Sequence, residues 1–119
     1  MKKLLLAVDY DNTFVEAVWP EAGTLKRGAR RWFHWVKRRG HTLVLWTCRD
    51  STDLNNAVSY LKREGIHFDL INANDPERMK VYGNDTRKVG ADWYFDDKSG
   101  FKWWWTAYFT VWKLERRLR

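Results

Sequence analysis

The stretch Leu4-Leu5-Leu6-Ala7-Val8-Asp9-Tyr10-Asp11-Asn12-Thr13-Phe14 joins a run of five apolar residues to a group of polar ones. A continuous apolar run of this length is typical of a buried strand in a parallel sheet. Ligands of open parallel sheets bind at the carboxyl ends of the strands, which is where Asp9, Asp11 and Thr13 fall. The same residue types are also typical of a simple strand-to-loop turn, so the motif alone leaves both interpretations open.

Length and composition predict a single globular domain over residues 1–119. The chain is 45% hydrophobic and 31% charged, which is enough for a core and too apolar for a disordered chain. Its apolar runs are shorter than a membrane span, and Asp9 interrupts the N-terminal one before any signal-peptide cleavage site. A single cysteine, Cys48, excludes an internal disulfide. We therefore expect a cytoplasmic protein with no membrane partner.

The charge and the tryptophan content both point to possible partners. A net charge of +7 permits an anionic partner such as nucleic acid or a phosphorylated metabolite. Nine tryptophans in 119 residues imply either a Trp-rich core or an aromatic surface used for association. In the tail, Trp103 and Phe109 fall off the main apolar face of the predicted helix, so this Trp-rich segment predicts a homo-oligomer contact.

The rest of the chain alternates predicted strands and helices. After a loop or small hairpin at residues 10–23, Thr24 is expected to cap a helix that Gly40 ends. The apolar face of this helix runs from Leu25 to Val36 at helical spacing. Such alternation predicts an α/β fold with a parallel sheet and helices on both faces. The other predicted elements are strands at 41–47, 66–71 and 91–95, a helix capped by Asp50 or Ser51 and closed by Gly65, a turn or short helix from Asn74-Asp75-Pro76, and a helix from Phe101 onward, whose apolar face includes Trp104, Trp105, Val111 and Trp112.

Polar residues follow the ends of these predicted strands. If the sheet has the order 3-2-1-4, its first and fourth strands are neighbours, and Asp9 and Asp11 converge with the Asp96-Asp97 pair. Several like charges are unfavourable together unless a cation neutralises them, and carboxylate oxygens suit Mg²⁺. Thr47, after the second strand, and Lys88, before the fourth, would then supply a hydrogen bond and a positive charge for a phosphate.

This constellation resembles the haloacid dehalogenase (HAD) superfamily of phosphohydrolases. The resemblance runs in the correct order through Asp9-Tyr10-Asp11-Asn12-Thr13, Thr47, Lys88, and Asp96-Asp97 after Trp93-Tyr94-Phe95. The residues that flank these motifs are similar to those of small, capless members from bacteria and phages. Cap domains of the family enter at the segments that correspond to residues 14–23 and 72–87, which are too short to hold a domain. The resemblance therefore implies a Rossmann-like HAD fold without a cap and a site open to solvent.

The resemblance also implies a role for each matching residue. Asp9 would be the nucleophile that forms an aspartyl-phosphate, and Asp11 the general acid for the leaving group and then the base for water. The other implied roles are Mg²⁺ ligation by Asp9, by Asp11 through its backbone carbonyl, by Asp96 and by Asp97, and phosphate binding by Thr47, Lys88 and Asn12, whose position is Gly in many relatives.

The resulting hypothesis is a Mg²⁺-dependent phosphatase for a phosphomonoester on a phosphorylated small molecule or a nucleic-acid end. On charge grounds the substrate would be a nucleotide or a nucleic-acid 3′-phosphate. The alternative is a non-catalytic, basic nucleic-acid-binding protein on a HAD-like fold, which would use the basic first helix and the aromatic tail. A phosphoacceptor receiver domain fits less well, because its acid pair follows the first strand, whereas Asp96-Asp97 comes late here.

Several other polar residues have plainer interpretations. Cys48 lacks the arginine of a C-x5-R phosphatase loop, since position 54 is Leu54, and we interpret it as a packing residue. Arg49 either touches substrate or forms a loop salt bridge, and Asp92 is a turn residue. Lys80 and Arg87 are alternatives to Lys88 for the phosphate, although spacing favours Lys88. His34, His41 and His67 lack metal-ligand spacing and are interpreted as surface or strand-edge residues.

Overall fold

The computed structural model describes residues 3–85 and 87–118, and its centre is a four-stranded parallel sheet. The strands lie side by side in the order β5 (Leu70–Ile71), β4 (Thr42–Leu45), β1 (Leu5–Val8) and β6 (Trp93–Phe95). Counted along the chain, these are the third, second, first and fourth strands of the sheet. The apolar run that opens the sequence is therefore the central strand β1, and every one of its residues is buried.

Three long helices and the sheet share one large core cluster. Because side chains alternate along a strand, Leu6 and Val8 of β1 point into this cluster, while Leu5 and Ala7 join a smaller one that contains Val89. The long helices are α1 (Ala29–Arg38), α2 (Ser51–Arg63) and α4 (Trp104–Arg117), and α3 (Pro76–Tyr82) is a short helix. Buried contributions come from Trp32 and Val36 of α1, Ala57 and Leu61 of α2, and Trp104, Ala107 and Val111 of α4. This arrangement confirms the predicted α/β fold with a parallel sheet flanked by helices.

A hairpin separates β1 from α1 and corrects the predicted start of that helix. The hairpin consists of β2 (Val15–Val18) and β3 (Glu21–Leu25), and Thr24 lies inside β3 instead of capping a helix. The backbone N–H of Lys26 still bonds to Phe14 O (2.9 Å), so extended pairing continues past the expected helix start. The helix begins only after Gly28, which has a left-handed φ of 86°.

Gly23 makes the close pairing within this hairpin possible. Its φ is 77°, and a Cβ at this position would collide with the backbone carbonyl oxygen of Glu16 on the opposite strand. Only glycine meets both conditions without strain.

Most of the predicted helix ends are confirmed. Gly40 and Gly65 follow the last residues of α1 and α2 with left-handed φ values, and Asp50 is the N-cap residue of α2. Asp75 caps α3 by accepting the Glu77 N–H (3.3 Å). The third predicted strand is wrong in length, since β5 begins at Leu70 and not at residue 66. The Leu43 N–H beside it bonds to the side chain of Asp69 (2.7 Å), where a longer strand would offer backbone.

The C-terminal segment is helical, as predicted, but two of the tryptophans assigned to its apolar face are exposed. Trp104 and Val111 are buried, whereas Trp105 is 73% and Trp112 46% exposed. The buried positions recur every three or four residues, and Trp105 and Trp112 each follow one of them by a single residue, which turns them about 100° away around the helix. Of the nine tryptophans, Trp32 and Trp104 are buried and five are exposed, so they serve both core and surface. Within the described part of the chain, no helix combines the length and apolar character needed to cross a membrane.

Candidate functional site

Three carboxylates meet at the carboxyl ends of two neighbouring strands. Asp9 follows β1, and Asp96 and Asp97 follow β6, which pairs with β1 in parallel. The Asp9 N–H extends this pairing with a bond to Phe95 O (2.9 Å). One carboxylate oxygen from each of the three residues lies within 4.8 Å of the others. The adjacency of the first and fourth strands therefore brings residues 87 positions apart in the sequence into one cluster.

Thr13 lies at the centre of this acidic cluster. Its Oγ1 lies 2.9 Å from Asp9 Oδ2 and 3.0 Å from Asp97 Oδ1, and it accepts the Asp97 N–H (2.9 Å). A hydroxyl has one hydrogen, so Thr13 can donate to only one of the two carboxylates at a time. The sequence predicted Thr13 at the strand end but did not predict this bridging role. Its position four residues after Asp9 was the signal, because a loop of that length returns the chain to the strand end.

The carboxylates of the cluster affect each other's protonation. Burial, followed by the charges of Asp96 and Asp97, raises the pKa of Asp9 to about 7 against the opposing effect of the Thr13 hydrogen bond. Burial also favours the neutral form of Asp97, but hydrogen bonds with Thr13, Asp9 and Asp96 outweigh it and lower the pKa of Asp97. Near pH 7, Asp9 is therefore the member of this pair that gains or loses a proton.

The donor set of this cluster fits a hard divalent cation. Three carboxylates offer closely spaced oxygen ligands, which are the ligands that Mg²⁺ prefers. A divalent cation would remove the need for the proton on Asp9, because an adjacent positive charge favours the carboxylate. The side chain of Asp11, which was predicted to converge with Asp9 and the Asp96-Asp97 pair, is not one of the three clustered carboxylates.

A cavity of about 270 Å³ opens beside Asp9. Asp96 and Ser99 line it together with Lys88, whose Nζ lies 5.2 Å from the ring centre of Tyr94. Trp46 and Tyr94 supply aromatic walls. Lys88 and the Ser99 hydroxyl could bind an anion such as phosphate at this opening if a metal cation neutralises Asp9 and Asp96. Lys80, an alternative to Lys88 in the sequence, instead lies 3.7 Å from Glu77 on α3.

Thr47 and Asn12 lie on the loops that follow β4 and β1. Thr47 donates its N–H to Asn72 Oδ1 (2.8 Å), and its Oγ1 accepts the Arg49 N–H (3.1 Å). Asn12 is exposed and has a left-handed φ of 63°, a conformation that asparagine tolerates better than most residues. Its carbonyl oxygen accepts a hydrogen bond from Lys26 Nζ (2.5 Å).

Asp11 is held apart from the other carboxylates by Arg49. Two guanidinium nitrogens of Arg49 donate to the two oxygens of Asp11, each at 2.8 Å. The Arg49 side chain is 1% exposed. Of the two interpretations that the sequence allowed for Arg49, the structure therefore shows the salt bridge. In this arrangement both Asp11 oxygens accept hydrogen bonds, and neither is set to donate a proton.

Arg49 also binds the backbone around it. Its guanidinium donates to the carbonyls of Glu21 (2.6 Å), Pro20 (3.2 Å) and Asp53 (3.3 Å). The rings of Tyr10 and Trp19 lie 5.1 and 5.0 Å from its central carbon. With Arg49 turned inward, Cys48 is turned outward and exposed, so its interpretation as a packing residue is wrong.

Two other polar residues differ from their sequence interpretations. His41 is buried and not at the surface: its Nδ1 accepts the Leu4 N–H (3.0 Å), and its Nε2 lies 2.7 Å from Glu115 Oε2. Asp92 is more than a turn residue, since one oxygen accepts both the Leu5 N–H (2.8 Å) and Arg78 Nη2 (2.8 Å). These partners are distant in the sequence, so no local sequence pattern predicted the contacts of His41 and Asp92.

Comparison with solved structures finds a conserved protein from Bacteroides thetaiotaomicron with the same fold. The two chains are 27% identical, the match covers 94% of this chain and 92% of that one, and the TM-score is 0.82. No protein-family model and no curated protein matches the chain. The arrangement of strands and helices described above is therefore shared over nearly its whole length with a second protein.

Proposed function

We propose that this chain is a Mg²⁺-dependent phosphatase of the capless haloacid dehalogenase type, which hydrolyses phosphomonoesters through an aspartyl-phosphate on Asp9. The observation that carries the proposal is the meeting of Asp9, Asp96 and Asp97 around the Thr13 hydroxyl, beside a cavity that also contains Lys88. A nucleophile, a cation site and a phosphate-binding cation are the parts that this reaction needs.

Asp9 is oriented before any substrate arrives. Its Oδ2 is bound to Thr13, which is itself buried and bonded to the backbone of Asp97. In the reaction, an oxygen of Asp9 forms a bond to phosphorus as the bond to the leaving oxygen breaks, and water then releases inorganic phosphate. A Mg²⁺ ion held by Asp9, Asp96 and Asp97 would neutralise these carboxylates and polarise the phosphoryl oxygens.

Lys88 and Thr47 suit the binding of the transferring phosphoryl group. Lys88 brings a positive charge to the cavity beside Asp9. The Thr47 oxygen accepts a bond from the Arg49 N–H, so the hydroxyl can still donate its own hydrogen to a phosphate oxygen. Both residues would stabilise charge that spreads over the phosphoryl oxygens in the transition state.

Asp11 has to exchange partners to act as the general acid. Its carboxylate must leave Arg49, turn towards the leaving oxygen and arrive there protonated. Arg49 keeps its three carbonyl acceptors and two aromatic neighbours when Asp11 leaves, so a buried guanidinium is not left without partners. The exchange nevertheless leaves the buried guanidinium charge without a carboxylate, so it carries an energetic cost.

The proposal extends to location and partners. An exposed, unpaired Cys48 suits a reducing cytoplasm, where thiols stay reduced. The substrate is a phosphorylated small molecule or a nucleic-acid end. Self-association through the Trp-rich segment stays a prediction, and Phe109 and Trp112 of α4 are exposed and available for it. The second candidate, a binding protein without catalysis, is favoured by the basic surface around α1 and opposed by the intact acidic cluster.

The test is phosphate release from an aryl phosphate, a panel of nucleotides and 3′-phosphorylated oligonucleotides, with Mg²⁺ and with EDTA. We expect Mg²⁺-dependent turnover that Asp9→Asn abolishes on every substrate. Asp11→Asn should lose activity most on alkyl esters and least on the aryl ester, because a good leaving group needs little protonation. Asp75→Asn is the matched control, since asparagine also caps helices well and Asp75 lies outside the cluster. Turnover that survives in Asp9→Asn would contradict the mechanism.

A further inference from the structure

A groove of about 610 Å³ lies between the segment that leads into α1 and the start of α4. Four cationic side chains line it, together with the exposed rings of Trp103 and Trp105. A second hollow of about 730 Å³ adjoins the first along the exposed side of α1 and shares part of its lining. The cations are Lys26, Arg27, Arg31 and Lys102 in the groove, with Arg30 and Arg38 added in the second hollow.

The cations of this groove are poorly balanced by carboxylates. Glu16 is the acidic residue in its lining. Within residues 3–85 and 87–118, the observed ion pairs leave Arg27, Arg31 and Lys102 without a carboxylate partner, whereas Arg30 is paired with Glu64 (2.9 Å). Concentrated positive charge of this kind attracts polyanions, and arginines in particular suit phosphate groups. The charge therefore selects an anionic occupant.

The exposed aromatic rings narrow the choice of polyanion. Trp103 is 59% and Trp105 73% exposed, although both are large apolar side chains in a groove lined by cations. Inorganic phosphate or a bare polyphosphate has no group that could use such rings. Nucleobases stack on them, and in single strands the base faces are accessible, whereas a duplex hides them. Rings and cations together match a single-stranded nucleic acid.

The groove and the acidic cluster lie against the same loop. On the groove side, Lys26 Nζ donates to Asn12 O (2.5 Å). Trp104, which lies between Trp103 and Trp105 in the sequence, donates from its Nε1 to Thr13 O (2.9 Å). On the other side, the Thr13 hydroxyl bonds to Asp9 and Asp97. Asn12 is exposed on this loop, so one short loop contacts both the groove and the acidic cluster.

We propose that this groove binds single-stranded nucleic acid, and that the phosphomonoester hydrolysed at Asp9 is the terminal phosphate of that strand. The chemistry at the strand's end rests on the proposed phosphatase function, whereas occupancy of the groove does not. Arg27, Arg31 and Lys102 contact backbone phosphates, and Trp103 and Trp105 stack on bases. The groove is therefore a determinant of substrate class, in which small phosphomonoesters lack most of the contacts.

The test measures binding separately from turnover. Fluorescence anisotropy follows labelled oligonucleotides of about 12 nucleotides, a length within the span of known single-strand sites, added to the full chain carrying Asp9→Asn with Mg²⁺. The oligonucleotides carry a 3′-phosphate, a 5′-phosphate or no terminal phosphate, and a duplex of the same sequence is included. The double variant Arg27→Ala/Arg31→Ala is compared with Lys62→Ala/Arg63→Ala, which removes the same charge from exposed positions in the last turn of α2.

We expect the groove variant to weaken single-strand binding at least roughly tenfold and to reduce the salt slope by about 1.4, or about 0.7 per phosphate contact. Trp105→Ala should weaken binding roughly tenfold at an unchanged salt slope, because it removes stacking and no charge. The α2 variant should change affinity by less than about twofold. Preference for the 3′- or the 5′-phosphorylated strand then identifies the terminus that the site accepts.

Three results would overturn the inference: no oligonucleotide binding, binding that the groove variant leaves unchanged, or equal affinity for the duplex. Binding to phosphatidylglycerol vesicles in place of oligonucleotides would overturn it as well and would assign the surface to a membrane. The wild-type chain assayed on an aryl phosphate separates the two proposals. Turnover without oligonucleotide binding would contradict the proposed binding groove and support the proposed phosphatase activity. Groove-dependent binding without turnover of any substrate would support the binding groove and contradict the phosphatase activity.

Discussion

Asp9, the candidate nucleophile, is unfavourable in its ionised form unless a bound cation neutralises it. It is part-buried, it lies beside two other carboxylates, and the single hydroxyl of Thr13 cannot donate to both Asp9 and Asp97 at once. Burial, mainly, raises its pKa to about 7. Ionised Asp9 is therefore unfavourable in the metal-free fold, and the stability of the protein should reflect that cost.

Asp9→Asn should stabilise the metal-free protein at pH 8. The folded pKa of Asp9 exceeds its ordinary value of 3.8, so the wild type loses stability as pH rises from about 4 to about 7, while the neutral asparagine does not. Because solvent screens a part-exposed carboxylate, we expect a gain of about 1–2 kcal/mol at pH 8 and none near pH 4. Urea unfolding in EDTA at both pH values measures this difference.

Adding Mg²⁺ provides the control for this prediction. The cation should raise the unfolding midpoint of the wild type more than that of Asp9→Asn, since one ligand is missing from the variant. A stability difference between the two proteins that is the same at pH 4 and pH 8 would show that Asp9 carries no ionisation cost.

At the scale of elements, the β2–β3 hairpin depends on side chains that reach it from outside. Tyr10 Oη donates to Ala22 O (2.6 Å), and Tyr60 Oη accepts the Leu25 N–H (2.9 Å). Arg49, at the start of the α2 segment, donates to the carbonyls of Pro20 and Glu21. The hairpin is two-stranded, and such a unit is marginal by itself in water. Arg49 therefore both restrains Asp11 and attaches the hairpin to the sheet domain.

Arg49→Met should release the hairpin and weaken its attachment to the sheet. The change leaves Asp11 and two hairpin carbonyls without their donor, and removing one partner of a buried ion pair costs about 3–5 kcal/mol. Arg49→Lys keeps the charge but cannot form the bidentate pair, so we expect an intermediate loss. Hydrogen exchange should show faster exchange of residues 15–25 in Arg49→Met, with β1 amides much less affected. Unchanged protection of the hairpin would assign its attachment to the two tyrosines alone.

At the scale of the whole molecule, a polar network around the buried side chains of His41 and Glu115 joins three parts of the chain. Glu115 of α4 accepts two hydrogen bonds from Arg39, at 2.7 and 2.6 Å, and lies 2.7 Å from His41 Nε2 beside β4. His41 Nδ1 accepts the Leu4 N–H, so the ring proton resides on Nε2 and the imidazole donates to Glu115 while neutral. This network fixes α4, and with it the tryptophans of the groove, against α1 and the sheet.

Glu115→Gln should destabilise the protein more at neutral pH than in acid. The Arg39 hydrogen bonds, mainly, and the His41 bond lower the pKa of Glu115 against the effect of burial. Its stabilising contribution is therefore present above its ordinary value of 4.5 and is lost as pH falls through the lower folded value. We expect a loss of about 2 kcal/mol at pH 7, typical of charge-assisted bonds, that shrinks progressively as the pH falls below 4.5. Denaturant unfolding at pH 7 and at a series of pH values below 4.5 provides the measurement.

Glu64→Gln serves as the matched control. Glu64 pairs with Arg30 at 2.9 Å, but both side chains are substantially exposed, at 34% and 50%. An exposed pair is worth about 0–1 kcal/mol, so this variant should barely change the stability. Equal losses in the two variants would mean that burial of the Glu115 network adds nothing to the stability of the fold.

Features that depend on neighbouring residues were predictable from the sequence. The apolar run before Asp9, the glycines that follow α1 and α2, and the helical tail all follow from local spacing and backbone preference, and the structure has each of them. The proximity of Asp9 to Asp96 and Asp97 was predictable as well, because the carboxyl ends of neighbouring parallel strands lie at the same edge of a sheet.

Only the tertiary structure decided which polar side chains are buried and with which partners. Arg49 pairs with Asp11, 38 positions away in the sequence, and His41 contacts Glu115, 74 positions away. The helix start moved from Thr24 to Ala29 because the hairpin pairs further than its local pattern suggests. Likewise, Trp105 faces solvent although its neighbour Trp104 is in the core. A buried charge or ring is stabilised by contacts with groups that tertiary packing brings near. Because those groups are distant in the sequence, the residues adjacent to the buried one do not indicate them.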